Sequence, residues 1–240
     1  EAVKKLQKKK INFISGIEYQ FSGDHQISNC VYAGLRHIKH SYPGFLILCQ
    51  KKQIPAYDED DHIFKTGGYH WEPEEKNQKK DQWPPVIQHG DFFFSILVCS
   101  ELMNINYRSS LRGNIDCLFV PEWNRNVTLY NDLVQASAND LHAFIVQCNN
   151  NKYGDCRIRA PYQQDYERDI VKAKGGVNDY FIVGKIKVAE LRDYQLFYSP
   201  TLHDPLFKPY PIGFEMSNER RDNYLHSDVN DNDATTEEEL

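Results

Sequence analysis

A thiol at the carboxyl end of a buried strand, directly before a helix, is well placed to act as a nucleophile, and Cys99 occupies such a point. It closes the apolar run Phe92–Cys99, interrupted only by Ser95, which has the continuous hydrophobicity of a strand covered on both faces. The following segment, Glu101–Arg112, has Leu102, Ile105 and Leu111 at helical spacing and Gly113 where a helix stop belongs. In such a setting the backbone N–H of Ser100 points at any oxyanion formed on the thiol, and the helix dipole favours thiolate. Position alone leaves the alternative of a small buried hydrophobe open, because Cys117 and Cys148 have similar settings.

The elements around this point follow an α/β order. Ile115–Val120 reads as a second buried strand. Asn126 stands as the cap of a helix carrying Leu129, Leu133, Ala136 and Leu141 on its apolar side. Ala143–Gln147, Arg157–Ala160 and Tyr180–Val188 read as further strands. Upstream, Glu1–Lys10 has the pattern of a short amphipathic helix. It is followed by strand-like Ile11–Tyr19, Cys30–Leu35 and Gly44–Gln50, and then by a polar excursion over Asp58–Gln82.

Composition narrows the function classes. The 240 residues are 40% hydrophobic, with 15 Tyr, 13 Phe and 3 Trp, enough to close a core. No apolar run approaches the roughly 20 residues that a bilayer requires, so no membrane partner is expected. The net charge of −6 resides in Asp228–Glu239, which holds six acids and no Lys or Arg. The rest carries 28 charges of each sign and gives no electrostatic footprint for nucleic acid. The one basic cluster, Lys4 to Lys10, reads as a solvated helix face. Six cysteines without a C-x-x-C pair, in a sequence with no signal peptide, read as free buried thiols in a cytoplasm. The nine histidines show no ligand spacing beyond His37 and His40, so neither a metal nor a cofactor is expected.

The block Ile96–Leu102 around Cys-Ser-Glu-Leu, then Arg108, then Gly113-Asn114-Ile115-Asp116 before an apolar strand ending at Pro121, resembles the nucleophile block of the nitrilase, or carbon–nitrogen hydrolase, superfamily. Asn149-Asn150 and Tyr153–Ile158 with Pro161 resemble its later segments, and Asn29 sits where the family has a strand Asn. Gln50–Pro55 through Glu59 resembles its Lys block. Register favours Lys51, with Ile54 three residues on and Glu59 eight on, and Lys52 stands beside it as the alternative.

The resemblance implies a four-layer α-β-β-α sandwich and an amide or nitrile as substrate. Cys99 is then the nucleophile, Lys51 or Lys52 an oxyanion cation, and Glu59 the family's second Glu. Ser100, Glu101 and Asn124 are implied as substrate or oxyanion contacts. A general base takes the thiol proton and later activates water. The family's first Glu precedes the helix at residue 1, so the resemblance implies an amino-terminally incomplete domain whose base lies upstream. Glu18 only faintly imitates that motif. The insertion between the Lys and Cys blocks is expected at Trp71–Gln82.

The expected organisation is a nitrilase-like domain over 1–196, an extended arm over 197–227 and an acidic disordered tail over 228–240. Cys-Ser-Glu-Leu, Pro-Glu-Trp-Asn and the Tyr/Pro-rich finish look most like the domain fused behind a reverse transcriptase in bacterial antiviral defence proteins. Such a fusion implies contacts with upstream polypeptide, nucleic acid only through the fused domain, and self-association through a nitrilase-type interface. The alternative from another class is a catalytically silent nitrilase-like oligomerisation or interaction module.

Overall fold

The computed structural model describes residues 5–6, 8–23, 25–39, 42–72, 83–176, 181–199 and 205–225. Half of the opening helix, most of the expected insertion and the whole acidic tail lie outside them. The chain divides into two compact units. One comprises the described residues up to Glu72 together with Leu97–Glu101, and the other comprises 83–96 with 102–225.

The first unit is an antiparallel meander of β1 (Phe13–Ser22), β2 (Gln26–Lys39) and β3 (Tyr42–Lys51), followed by α1 (Glu59–Gly67) and β4 (His70–Trp71), which runs parallel to β2. Flanked on both sides, β2 contributes Ile27, Cys30, Val31, Ala33 and Leu35 to the core. Each fully buried aliphatic side chain of this kind is worth about 1.5–3 kcal/mol. The expected polar excursion holds a helix, α1, whose first turn carries Glu59, Asp60 and Asp61 and whose stop is Gly68 at φ 69°. Acids at the amino end and a left-handed glycine at the carboxyl end suit a helix. With Ile63 its one buried residue, the apolar stripe that signals a helix is missing.

The second unit is a six-stranded sheet in the order β10-β9-β8-β7-β6-β5. Its centre is three parallel strands, β6 (Phe92–Ile96), β7 (Cys117–Glu122) and β8 (Phe144–Asn149). Antiparallel neighbours flank them: β5 (Ile87–His89), β9 (Gly154–Arg159) and β10 (Asp169–Lys174). Phe93, Phe94, Ile96, Leu118, Val120, Phe144 and Ile145 are buried, as parallel strands covered on both faces require.

The helix expected over Glu101–Arg112 is split. A 3-10 turn covers Cys99–Met103, and α2 (Ile105–Leu111) starts afresh because the Asn104 side chain accepts the N–H groups of Asn106 and Tyr107. Asn126 caps α3 (Val127–Leu141) through the N–H of Leu129, as expected. The strand expected over Tyr180–Val188 is corrected. Residues 181–187 pair with no strand, Phe181 and Val183 are 100% and 87% exposed, and α4 (Val188–Phe197) begins at the strand's expected end. Apolar residues without a partner edge do not make a strand. Within the span expected as an extended arm, residues 205–217 are largely irregular, with a bridge between Tyr162 and Phe207, while 218–225 are helical.

One buried charge cluster fastens the carboxyl-terminal segments to the second sheet. Asp116, fully buried, accepts from Phe93 N at 2.8 Å, from Arg192 Nε at 2.8 Å and from Arg220 Nη2 at 2.6 Å. Arg220 Nη1 also donates to the carbonyl of Gly113 at 2.8 Å. Gly113 is obligatory here: at φ 75°, an added Cβ would lie 1.8 Å from the carbonyl oxygen of Glu215.

Candidate active site

Cys99 lies three residues beyond the end of β6 and opens the 3-10 turn at φ 50°. A non-glycine residue in the left-handed region costs about 1–3 kcal/mol and persists only where its surroundings impose it. Here a half-buried thiol is held on a sharp strand-to-helix corner, with half-buried Ser100 next in the turn.

Glu101 imposes that corner. It is 2% exposed, and its Oε2 accepts the N–H of Val98 at 2.8 Å while its Oε1 accepts the N–H of Gln53 at 2.9 Å. One carboxyl group therefore joins the residue before Cys99 to the residue after Lys52. Burial pushes its pKa up to about 7, against the two backbone hydrogen bonds and the charge of Lys52.

Lys52 is 3% exposed and its Nζ lies 2.6 Å from Glu59 Oε2, with the Trp71 ring centroid 5.5 Å away. Glu59, the first residue of α1, is itself fixed: Oε2 also accepts Ala56 N at 2.6 Å, and Oε1 accepts Asn29 Nδ2 at 2.8 Å. The backbone N–H of Lys52 donates to the carbonyl of Asn29 at 2.9 Å, so β2 holds both members of the pair. Register favours Lys51, whereas it is Lys52 that is buried against Glu59. Lys51, the last residue of β3, pairs with Glu72 at 2.7 Å at a site where its own side chain is 35% exposed. That pairing lowers the Glu72 carboxyl below its usual range.

Cys99, Ser100, Glu101, Lys51, Lys52 and Glu59 all belong to the first unit. Asn124 belongs to the second, where its N–H and carbonyl both pair with the Asn149 side chain, each at 2.9 Å. Arg108 donates to the carbonyl of Leu102 at 2.5 Å, a backbone tie within the second unit. Glu18 lies in β1.

The cysteines are all free, but only Cys30 and Cys117 are buried; Cys99 and Cys156 are half-buried and Cys49 and Cys148 exposed. The expectation of uniformly buried thiols is thus corrected, since β3 and β8 each present one cysteine to solvent. Burial pushes the Cys117 thiol well up, with Asp116 adding to the effect. A hydrogen bond from Cys148 brings Cys156 down to about 6 and raises Cys148 in turn. Sequence spacing gave no sign of this pair, because β8 and β9 bring the two thiols together. Among the described residues no three His, Cys, Asp or Glu side chains are grouped to hold a metal ion.

No protein-family model matches the sequence, and no curated protein matches it. Solved structures do. An amidase of the nitrilase superfamily from Nesterenkonia AN1, in a cysteine-to-alanine form, superposes with a TM-score of 0.51 at 13% identity, over 73% of this chain and 62% of that one. The amidase from Nesterenkonia sp. gives the same TM-score and identity over 73% and 63% of the two chains. A mutant of the Nesterenkonia AN1 amidase bearing acrylamide on its active-site cysteine gives 0.50 at 13% identity, over 72% and 64%. The chain therefore has the mixed α/β fold of nitrilase-superfamily amidases and spans somewhat under two thirds of their length.

Proposed function

We propose that this chain is a nitrilase-like hydrolase domain that opens a non-peptide C–N bond, in an amide or a nitrile, through Cys99. The observation that carries the reading is the left-handed corner at Cys99, tied by Glu101 to the segment bearing the buried Lys52–Glu59 pair. The fold shared with amidases, one of which carries a covalent adduct on its active-site cysteine, supports it.

In this reading the Cys99 thiolate forms a bond to the amide carbon, and the carbonyl π electrons move onto oxygen. The Lys52 ammonium and the Ser100 N–H hold that charge. Collapse expels ammonia, which takes up the proton removed from the thiol, and leaves a thioester. Water then adds and the thiolate departs, giving the acid. Glu59 holds and aims Lys52 through their ion pair. Glu101 positions both segments rather than touching substrate, because both its oxygens accept backbone N–H groups. The base is a carboxylate other than these two, since each oxygen of Glu59 and Glu101 is already engaged. Asn124 is left as a substrate contact by the sequence resemblance alone.

That engagement of both acids is also what favours the second reading, a silent module that keeps the scaffold for self-association. The wider setting, a cytoplasmic domain attached to an antiviral reverse transcriptase, rests on the sequence resemblance; among the described residues, no helix is long and apolar enough to cross a membrane. Ammonia release from short aliphatic amides, compared between the protein and its Cys99→Ala variant, separates the readings. Release lost in the variant supports the hydrolase, whereas no release from either, with stable self-association, supports the module.

A further inference from the structure

The second unit carries a cavity of about 510 Å³ between the end of α2 and the start of the helix at 218–225. Its volume falls within the range of about 300–1,000 Å³ typical of small-ligand sites. Two guanidiniums line it, Arg112 and Arg221, with the side chains of Asn114, Asn218 and Ser109 between them.

Neither guanidinium forms an ion pair among the described residues. Arg112 Nε is buried with no hydrogen-bond partner among the described residues, a donor left unsatisfied. Among the described residues Arg221 donates only through Nη2, to Asn218 Oδ1 at 3.0 Å and to the carbonyl of Met216 at 3.4 Å. These bonds orient the fork and leave its other donors without an acceptor among the described residues. The helix at 218–225 adds its positive end at Asn218. The wall is rigid, because Gly113 is packed beneath the carbonyl of Glu215 and accepts the N–H of Ser217 at 3.0 Å.

We propose that this cavity binds a phosphorylated small molecule, its phosphoryl oxygens taken by the Arg112 and Arg221 guanidiniums. Forked donors suit phosphate better than a carboxylate or halide, because a phosphoryl group offers three oxygens to two planar guanidiniums at once. Glu215, the one carboxylate among the described lining residues, opposes binding. The inference is independent of Cys99 chemistry.

The test is calorimetric titration of the whole chain with pyrophosphate and, separately, with adenosine monophosphate at low ionic strength. Saturable binding at one site per chain is expected for at least one probe. Arg221→Gln and Ser109→Glu should each weaken it by about tenfold or more, the effect of losing a charge-assisted hydrogen bond. Glu215→Gln should tighten it. Both Arg221 and Ser109 are exposed, so these variants keep the core, and unchanged melting verifies that. Tighter binding of the monophosphate identifies a nucleotide ligand, and tighter binding of pyrophosphate a phosphate compound without a base. Absence of saturable binding to either probe, or affinity unaltered by Arg221→Gln and Ser109→Glu, overturns the proposal.

Discussion

The two units each bury a charge cluster, and the clusters are built to opposite ends. In the second, Asp116 lies between Arg192 and Arg220, and its carboxylate oxygens are saturated by guanidinium and backbone donors. All three side chains of that triad are buried from solvent. In the first, Lys52 and Glu59 pair beside Glu101, whose carboxyl titrates near pH 7, and the adjoining corner holds a strained, half-buried thiol. A saturated cluster staples chain segments together; a cluster with a half-neutralised acid and a forced backbone angle stores free energy that chemistry can use.

The comparison is broken most severely at Asp116. Asp116→Ala leaves two buried guanidiniums uncompensated and should lower unfolding free energy by about 3–5 kcal/mol. Denaturant melts would show it, and a loss under 1 kcal/mol would mean that the triad is not the staple. Lys52→Met should cost stability through the stranded Glu59 carboxylate and suppress Cys99 reactivity. Lys51→Met, at a partly exposed pair, should cost no more than about 1 kcal/mol. Equal losses for the two lysines would erase the distinction drawn between them.

A subtler separation comes from pH. The folded pKa of Glu101 is raised to about 7 from an ordinary 4.5, so the stability it contributes is complete below about pH 4.5 and is lost as pH rises through 7. Glu122 behaves alike, pushed to about 7 by burial. His142 acts the other way: burial lowers it from 6.5 to about 4, so its contribution is present above 6.5 and lost as pH falls through 4. Glu101→Gln should therefore flatten the decline in melting temperature between pH 5 and 8, leaving the slope due to Glu122. An unaltered slope would show that Glu101 does not titrate there. Smallest is Asn126→Ala, which removes the α3 cap and should cost about 1 kcal/mol in denaturant melts, with Cys99 reactivity unchanged.

Much of this architecture was legible where it is local. Apolar runs located β6, β7 and β8, and Asn126 announced α3, because each signal lies within its own segment. Cys99 was legible for the same reason, standing just past a buried strand. The pairing of Lys52 with Glu59 and of Lys51 with Glu72 was not, since residue counting does not show which side chain leaves the end of β3 toward β2 and α1. Asp116 was visible as a motif residue, but its partners lie 76 and 104 positions away. The 181–187 segment misled because its apolar residues suggest a strand that finds no partner edge among the described residues. The lowered pKa of Cys156 escaped because it depends on Cys148 across β8 and β9.

That last thiol supplies the sharpest test of the central claim, that Cys99 is the nucleophile and Lys52 its electrostatic partner. The chain is treated with limiting iodoacetamide at neutral pH, digested and mapped, beside Lys52→Met and Lys51→Met. The account predicts that Cys99 is alkylated ahead of the other five cysteines and is slowed in Lys52→Met but not in Lys51→Met. Alkylation led by Cys156, with Cys99 no faster than Cys49 and indifferent to Lys52, would contradict it.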